Sequence, residues 1–352
     1  MKKFILKTAA FIIPFILLSF FPMFFYTAAK GDLIRMGYLP DNGFDSKTIF
    51  KKELKRKRHF SAVSEIDLNA QSKFTILTIG DSFSEQGNTG YQNYLAENSR
   101  VTVLHYDRFL HENPIETLYG ILNGDLLDKV KVKYIVLQSV EREFVSRSNK
   151  LDSTQIVLRK SLSYKIKTHN KFRGKEQTEE QFFSKATFRF PLYNICYNFD
   201  DNAYFSKTYQ VKTKVSLFSG SNPELLFFTD DVEKVTTNNE EAYIATLNAD
   251  LNSLSEKLRE RGIKLIVLPC PDKFDMYYDY IVDNTKYPKP LFFERLEKLP
   301  KDYLYVNSKE VLGTAAKKQK DIYLYDDTHW SPIASEIIAD ELAKLIAGER
   351  KS

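Results

Sequence analysis

Two cysteines, one tryptophan and five histidines in 352 residues exclude several kinds of chemistry at the outset. Cys196 and Cys270 are too few for a disulfide scaffold. They either form one bridge in an oxidising compartment or stay free. No pair of histidines has the H-x-x-x-H spacing of a metal site, and no glycine-rich phosphate loop is present, so neither a metal nor another cofactor is expected. Charge is nearly balanced, with 51 Lys and Arg against 46 Asp and Glu, a formal net charge of +5. No predicted helix carries a basic stripe, which argues against nucleic acid as a partner.

What remains is ordinary for a folded protein: 28% charged and 43% hydrophobic residues, too apolar for disorder. The length allows one large domain or two smaller ones. Aromatic content is high, with 27 Phe and 21 Tyr; such residues mostly fill cores, and on loops they form platforms for flat surfaces such as sugars.

Residues 8–29, TAAFIIPFILLSFFPMFFYTAA, carry no charge over 22 positions. At ~1.5 Å rise per residue that length matches a hydrocarbon core of ~30 Å. Lys2, Lys3 and Lys7 precede it, as in an export signal. Residues 1–30 therefore read as a transmembrane anchor, or as a signal cut at a small-residue site such as Thr27-Ala28-Ala29. Residues 31–69 read as a basic linker containing KKELKRKRH at 51–59, and its charge weighs against the expected export of the body.

From residue 70 the pattern changes. FTILTI (74–79), VTVLHY (101–106), KYIVLQ (133–138), IKLIVLP (263–269) and YLYV (303–306) are short apolar runs read as buried strands. Amphipathic helices are expected between them, one after Pro114 with Leu118, Ile121, Leu122 and Leu126 on a face. Another carries Ile244, Leu247, Leu251, Leu254 and Leu258 at spacings of 3, 4, 3 and 4. The last begins at Ser331-Pro332, an N-cap and first-turn pair. This alternation predicts an α/β protein with a parallel sheet covered on both faces, spanning 70–347. Residues 143–240 break the rhythm and read as an inserted cap or β-rich subdomain. Reactive groups in such sheets collect at the C-terminal strand ends, where Ser82, Gln138–Arg142, Pro269–Lys273 and His329 all fall.

A serine attacks only when a base removes its proton and a third group orients that base. Ser82, in Gly80-Asp81-Ser82-Phe83-Ser84, supplies the hydroxyl. His329, in Tyr325-Asp326-Asp327-Thr328-His329-Trp330, supplies the base, with Asp327 or Asp326 adjacent. The other histidines, His59, His105, His111 and His169, have no comparable surroundings.

The first motif resembles the opening block of the SGNH (GDSL-type) hydrolases. Asp327-Thr328-His329-Trp330 resembles the D-x-H-W block of their branch containing the alginate O-acetyltransferase proteins and related polysaccharide acylation proteins. Pro271-Asp272-Lys273 and Gln138–Glu143 resemble segments of the same branch, and the likeness covers roughly 70–145 and 240–347. It implies a three-layer α/β/α sandwich with Ser82 as nucleophile, His329 as base and Asp327 as orienting acid. The wider family's spacing selects Asp326 instead. It further implies an O-acyltransferase, with acetyl as the expected acyl group, acting on an exported or cell-surface polysaccharide, with a membrane-bound partner delivering the acyl group to an extracytoplasmic domain. An acyl-esterase with the same triad and a non-catalytic glycan-binding subunit remain alternatives.

The family's Gly-x-Asn-Asp block is missing after the third strand, and its oxyanion glycine is not evident. Losing one oxyanion donor costs ~3 kcal/mol. Beside the Ser82 N–H, Arg142, Gln138 and Asn113 are candidate donors, and Asp81 stands next to the nucleophile. Glu141 and Arg142 could instead pair structurally. Lys273 either holds substrate or solvates a loop, and Trp330 either packs the histidine loop or stacks on a sugar.

Overall fold

A computed structural model describes residues 2–26, 30–41, 45–99, 101–172 and 185–349. Its framework is one six-stranded sheet, all parallel. In chain order the strands are β1 (Ser61–Ala62), β2 (Ile76–Ile79), β3 (Val103–Tyr106) and β4 (Tyr134–Val140). An antiparallel hairpin of β5 (Thr208–Lys212) and β6 (Glu224–Phe228) lies outside the sheet, and β7 (Lys264–Cys270) and β8 (Leu304–Tyr305) complete it. The spatial order is β1-β3-β2-β4-β7-β8. Leu77 stands opposite Leu104 on one side and Ile135 on the other, and Val140 opposite Cys270.

The near-continuous apolar runs follow from this placement, because side chains alternate between two covered faces. On β2, Ile76 joins one core while Leu77 and Ile79 join the other. On β4, Val136 and Val140 face the first core, Ile135 and Leu137 the second. Helices Tyr91–Asn98 and Pro332–Glu349 cover the first face, burying Tyr91, Leu95, Ile338 and Leu342. Helices Pro114–Asn123 and Glu241–Glu260 cover the second, and the 3-4-3-4 stripe from Ile244 to Leu258 is buried along its length. The three-layer α/β/α architecture is thus the one expected.

Differences from the sequence reading are local. The helix expected over 114–130 stops at Asn123 and resumes for one turn at Leu126–Lys129. Within the insertion the expected β-rich character is limited to the β5–β6 hairpin, and helices Arg159–Phe172 and Lys185–Cys196 dominate the described part. Both cysteines are free.

The N-terminal apolar segment is helical over Lys2–Phe25 and runs beside helix Lys185–Cys196. Several of its side chains, and Thr27-Ala28-Ala29, lie outside the described residues; among the described ones no helix is long and apolar enough to cross a membrane. Residues 32–37 form a short helix, and Leu33, Ile34, Leu39 and Phe50 are buried against the body. This segment forms one wall of the site described next.

Candidate active site

The turn after β2 owes its shape to Gly80. A β-carbon there would stand 2.2 Å from Gln138 Oε1 and 2.4 Å from Ser84 Oγ, so only glycine lets the chain pass this close to β4. Asp81 then turns inward. Its Oδ1 accepts from Phe83 N (3.1 Å) and Gln138 Nε2 (2.9 Å), and its Oδ2 from Val140 N (2.7 Å) and Arg147 Nη1 (2.7 Å). Burial pushes this carboxyl upward, but Arg147 and the N–H donors outweigh it and hold it below the usual range. Ser82 is left exposed at the sheet edge, with its own N–H free of any described acceptor.

His329 reaches the same place from the loop before the last helix. Its Nδ1 lies 2.5 Å from Asp327 Oδ1, and the Asp327 carboxylate also accepts the His329 backbone N–H at 3.1 Å. Nε2 is buried and has no partner. Burial lowers the imidazole's affinity for a proton, yet the hydrogen bond and charge of Asp327 prevail and leave it above its ordinary value. Asp327 in turn is pushed up by burial but pulled down to about 2 by His329. Asp326 faces elsewhere: its carboxylate accepts from the Ser46 hydroxyl and, at 3.2 Å, from Gly31 N. The geometry therefore places Asp327, not Asp326, behind the imidazole.

Ser82 and His329 line one cavity of about 340 Å³, whose other walls include Phe50, Leu54, Trp330 and Pro332. Ser82 and His329 form no hydrogen bond with each other. Ser82 also opens onto a second, polar cavity of about 560 Å³ bounded by Arg108, Asn113, Glu116, Arg142, Arg147 and Lys150.

The remaining expected residues separate into those beside Ser82 and those engaged elsewhere. Gln138 is fully buried; its Oε1 accepts from Asp81 N and Ser84 Oγ, and its Nε2 serves Asp81 and Cys270, so nothing is left for an oxyanion. Asn113 caps its helix and donates to Arg147 O at 2.8 Å. Arg142 borders the polar cavity while gripping Asp231 (3.1 Å) and Asp272. Glu141 does not pair with Arg142; it is buried, accepts from Asp272 N at 3.0 Å, and burial followed by Asp275 and Asp272 pushes its carboxyl well upward. Lys273 is fully buried, and its Nζ donates to the carbonyls of Leu324 (2.7 Å), Tyr325 (2.7 Å) and Asp327 (3.1 Å). Burial pulls its pKa down to about 7. Trp330 is fully buried, donates to Gln86 Oε1 at 3.0 Å and meets Phe83 edge-on at 5.2 Å, so it packs the loop.

Two residues near His329 and Asp327 escaped the sequence reading. Asp32, immediately after the apolar segment, accepts from Thr328 N and Thr328 Oγ1, both at 2.9 Å. Gly31 lies so close to the same loop that a β-carbon would come within 2.2 Å of Asp326 O. No local signal marks either, since their partners stand almost 300 residues away in the chain. Asp32, Asp327 and His329 bring potential metal-ligand atoms within 4.8 Å of one another, although each is already hydrogen-bonded within the protein.

Residues 222–352 match the family model described as the SGNH hydrolase-like domain of acetyltransferase AlgX. A probable alginate O-acetylase AlgJ from Pseudomonas syringae pv. tomato is 27% identical over 122 residues, 34% of this chain and 31% of the relative. A probable alginate O-acetylase AlgJ from Pseudomonas aeruginosa is 29% identical over 100 residues, 26% of this chain and 24% of the relative. The chain thus spans less than a third of the length of these curated relatives. The family match contains Asp327-Thr328-His329-Trp330 and β7, whereas Ser82 precedes it. Both findings agree with the family to which the two short motifs pointed.

Proposed function

We propose that this SGNH hydrolase-like protein of the alginate O-acetyltransferase type transfers an acyl group, most simply acetyl, from Ser82 to a hydroxyl of a polysaccharide. The observation that carries this reading is the buried, unpartnered Nε2 of His329, a residue that lines the same cavity as Ser82 while Asp327 holds its opposite ring nitrogen at 2.5 Å.

In the first half-reaction Ser82 Oγ attacks the acyl carbonyl and Nε2 takes its proton. Asp327 stabilises the imidazolium, and the Ser82 N–H faces the developing oxyanion. Arg142 is the candidate second donor: it borders the cavity on the other side of Ser82, and its neighbouring carboxylates keep it positive. Collapse returns the proton to the leaving group and leaves the acyl ester on Ser82. A sugar hydroxyl then attacks that ester, giving its proton to Nε2, and release of Ser82 restores the enzyme. The two cavities meeting at Ser82 suit these two steps. The one walled by Phe50, Leu54, Trp330 and Pro332 suits the acyl group, and the polar one suits the glycan. Water reaching the exposed Ser82 would make the same centre an esterase.

We place the body outside the cytoplasm, anchored by the uncharged segment at 8–29, with a membrane-bound partner supplying the acyl group. The test uses the full chain in detergent, because Phe50 and the Gly31–Asp32 segment wall the site. A chromogenic acetyl ester is offered with and without a polysaccharide acceptor, beside Ser82→Ala and His329→Ala. Turnover and an acyl adduct on Ser82 that both variants abolish support the proposal, and acceptor-dependent sugar ester separates transferase from esterase. A folded wild type without turnover or adduct refutes it in favour of a glycan-binding subunit.

A further inference from the structure

Beside helix Pro114–Asn123 lies a cavity of about 350 Å³ that acyl transfer at Ser82 leaves without a role. Among the residues lining it, Tyr106 and His111 are at least nine-tenths buried, and neither the tyrosine hydroxyl nor either ring nitrogen of His111 has a hydrogen-bond partner. Oε1 of Gln155, on the same wall, is also buried and unpartnered. An unbonded buried polar atom costs ~1–3 kcal/mol, so several of them around one cavity suit a guest that bonds to them. His111 stays uncharged: burial first, then the charge of Arg108, pushes its pKa down to about 3. It therefore offers one donor and one acceptor, not a cation. Apolar surface from Phe109 and Val157 completes the wall.

This cavity neighbours the candidate active site. Glu112, Asn113 and Glu116 line both it and the polar cavity that contains Ser82. These shared walls, at and just before the first turn of helix Pro114–Asn123, separate the cavity of Ser82 from that of His111.

We propose that this neighbouring cavity extends the acceptor site, so that a sugar unit remote from the acylated one sits against Tyr106, His111 and Gln155. The proposal rests on the polysaccharide acyltransferase reading of Ser82. Alternating donors and acceptors beside an apolar wall match the hydroxyls and C–H faces of a pyranose. The walls carry charge of both signs, with Glu112 and Glu116 beside Lys165, so the neutral oligosaccharides of the test probe the hydrogen-bonding groups apart from charge.

The test measures calorimetric binding of neutral cello-, manno- and chito-oligosaccharides of two and six units to the full chain in detergent. Wild type is compared with His111→Ala and Gln155→Ala, each first shown to keep the wild-type melting temperature. The wild type is expected to bind at least one hexamer series about tenfold more tightly than its dimer, and each variant to lose most of that gain. A length gain that survives in both variants, or no length gain in the wild type for any series, overturns the extended site and leaves the cavity to water. Ester turnover by wild type and Ser82→Ala runs in parallel. Turnover unaffected by Ser82→Ala sinks the acyltransferase reading, whereas Ser82-dependent turnover without a length gain sinks the extended site alone.

Discussion

Replacing Asp81 tests whether the turn that carries Ser82 is held by a buried charge or merely by chain direction. Both carboxylate oxygens accept only from donors: Phe83 N and Gln138 Nε2 on Oδ1, Val140 N and Arg147 Nη1 on Oδ2. In Asp81→Asn one oxygen becomes an NH2 group, and whichever way the amide flips it confronts two donors. The partner Arg147 is itself mostly buried, with its side chain 11% exposed, and would lose its counter-charge. Breaking such a pair costs ~3–5 kcal/mol, so Asp81→Asn is expected to cost about as much as Asp81→Ala, near ~4 kcal/mol. Urea unfolding at neutral pH, followed by far-ultraviolet circular dichroism and by fluorescence of the sole tryptophan, Trp330, reads the loss. Coincident transitions would justify treating the unfolding as two-state. The sign with pH follows from the lowered folded-state pKa of Asp81. Its contribution is fully present above the unfolded value of ~3.9 and disappears as pH falls through the lower folded value. Wild type and variants should therefore converge in strong acid. Pairing Asp81→Ala with Arg147→Met should give a coupling of ~2 kcal/mol. An Asp81→Asn protein within ~1 kcal/mol of wild type at neutral pH would refute the reasoning.

Three shorter predictions concern the histidine loop. Asp327→Asn should cut ester turnover ~10³- to 10⁴-fold. Turnover in the wild type should rise with pH through a midpoint above ~6.5, because His329 must be neutral to act. In Asp327→Asn that midpoint should move down, since burial is then opposed only by the charge of Asp32, and an unmoved midpoint argues against the dyad. Lys273→Met would leave three carbonyl oxygens without their donor at a cost of ~3 kcal/mol. Because the folded Lys273 binds fewer protons than the unfolded one between about 7 and 10.5, wild-type stability should gain on Lys273→Met as pH rises through that window, which melts at several pH values would show. Gly31→Ala would drive a β-carbon into the backbone of Asp326. It is expected to lower stability by ~1–3 kcal/mol and to reduce ester turnover, and a melt and a turnover rate both equal to wild type would contradict the packing.

The strands and their cover were legible because a parallel strand buried on two faces leaves an uninterrupted apolar run, as in Ile76–Ile79 and Lys264–Cys270. The stripe from Ile244 to Leu258 was equally plain, since a helix with one buried face repeats its apolar positions locally. Ser82 and His329 stood out because glycine, aspartate and tryptophan cluster beside them in the chain. The roles of their neighbours were not legible in that way. Asp81, Gln138 and Lys273 look like substrate-facing polar groups in one dimension, yet the fold buries each against named partners.

By itself, then, the sequence determined the layers, the alternation of strands and helices around a parallel sheet, and the two short motifs that carry Ser82 and His329. Only the tertiary structure decided which aspartate stands behind His329, and that Gly31 and Asp32 brace the histidine loop. It alone also set the cavity of Ser82 beside that of His111, with Glu112, Asn113 and Glu116 shared between their walls. Those outcomes depend on backbone passing within a few ångströms of backbone from distant parts of the chain, and nothing in a local pattern of apolar and polar residues records that approach.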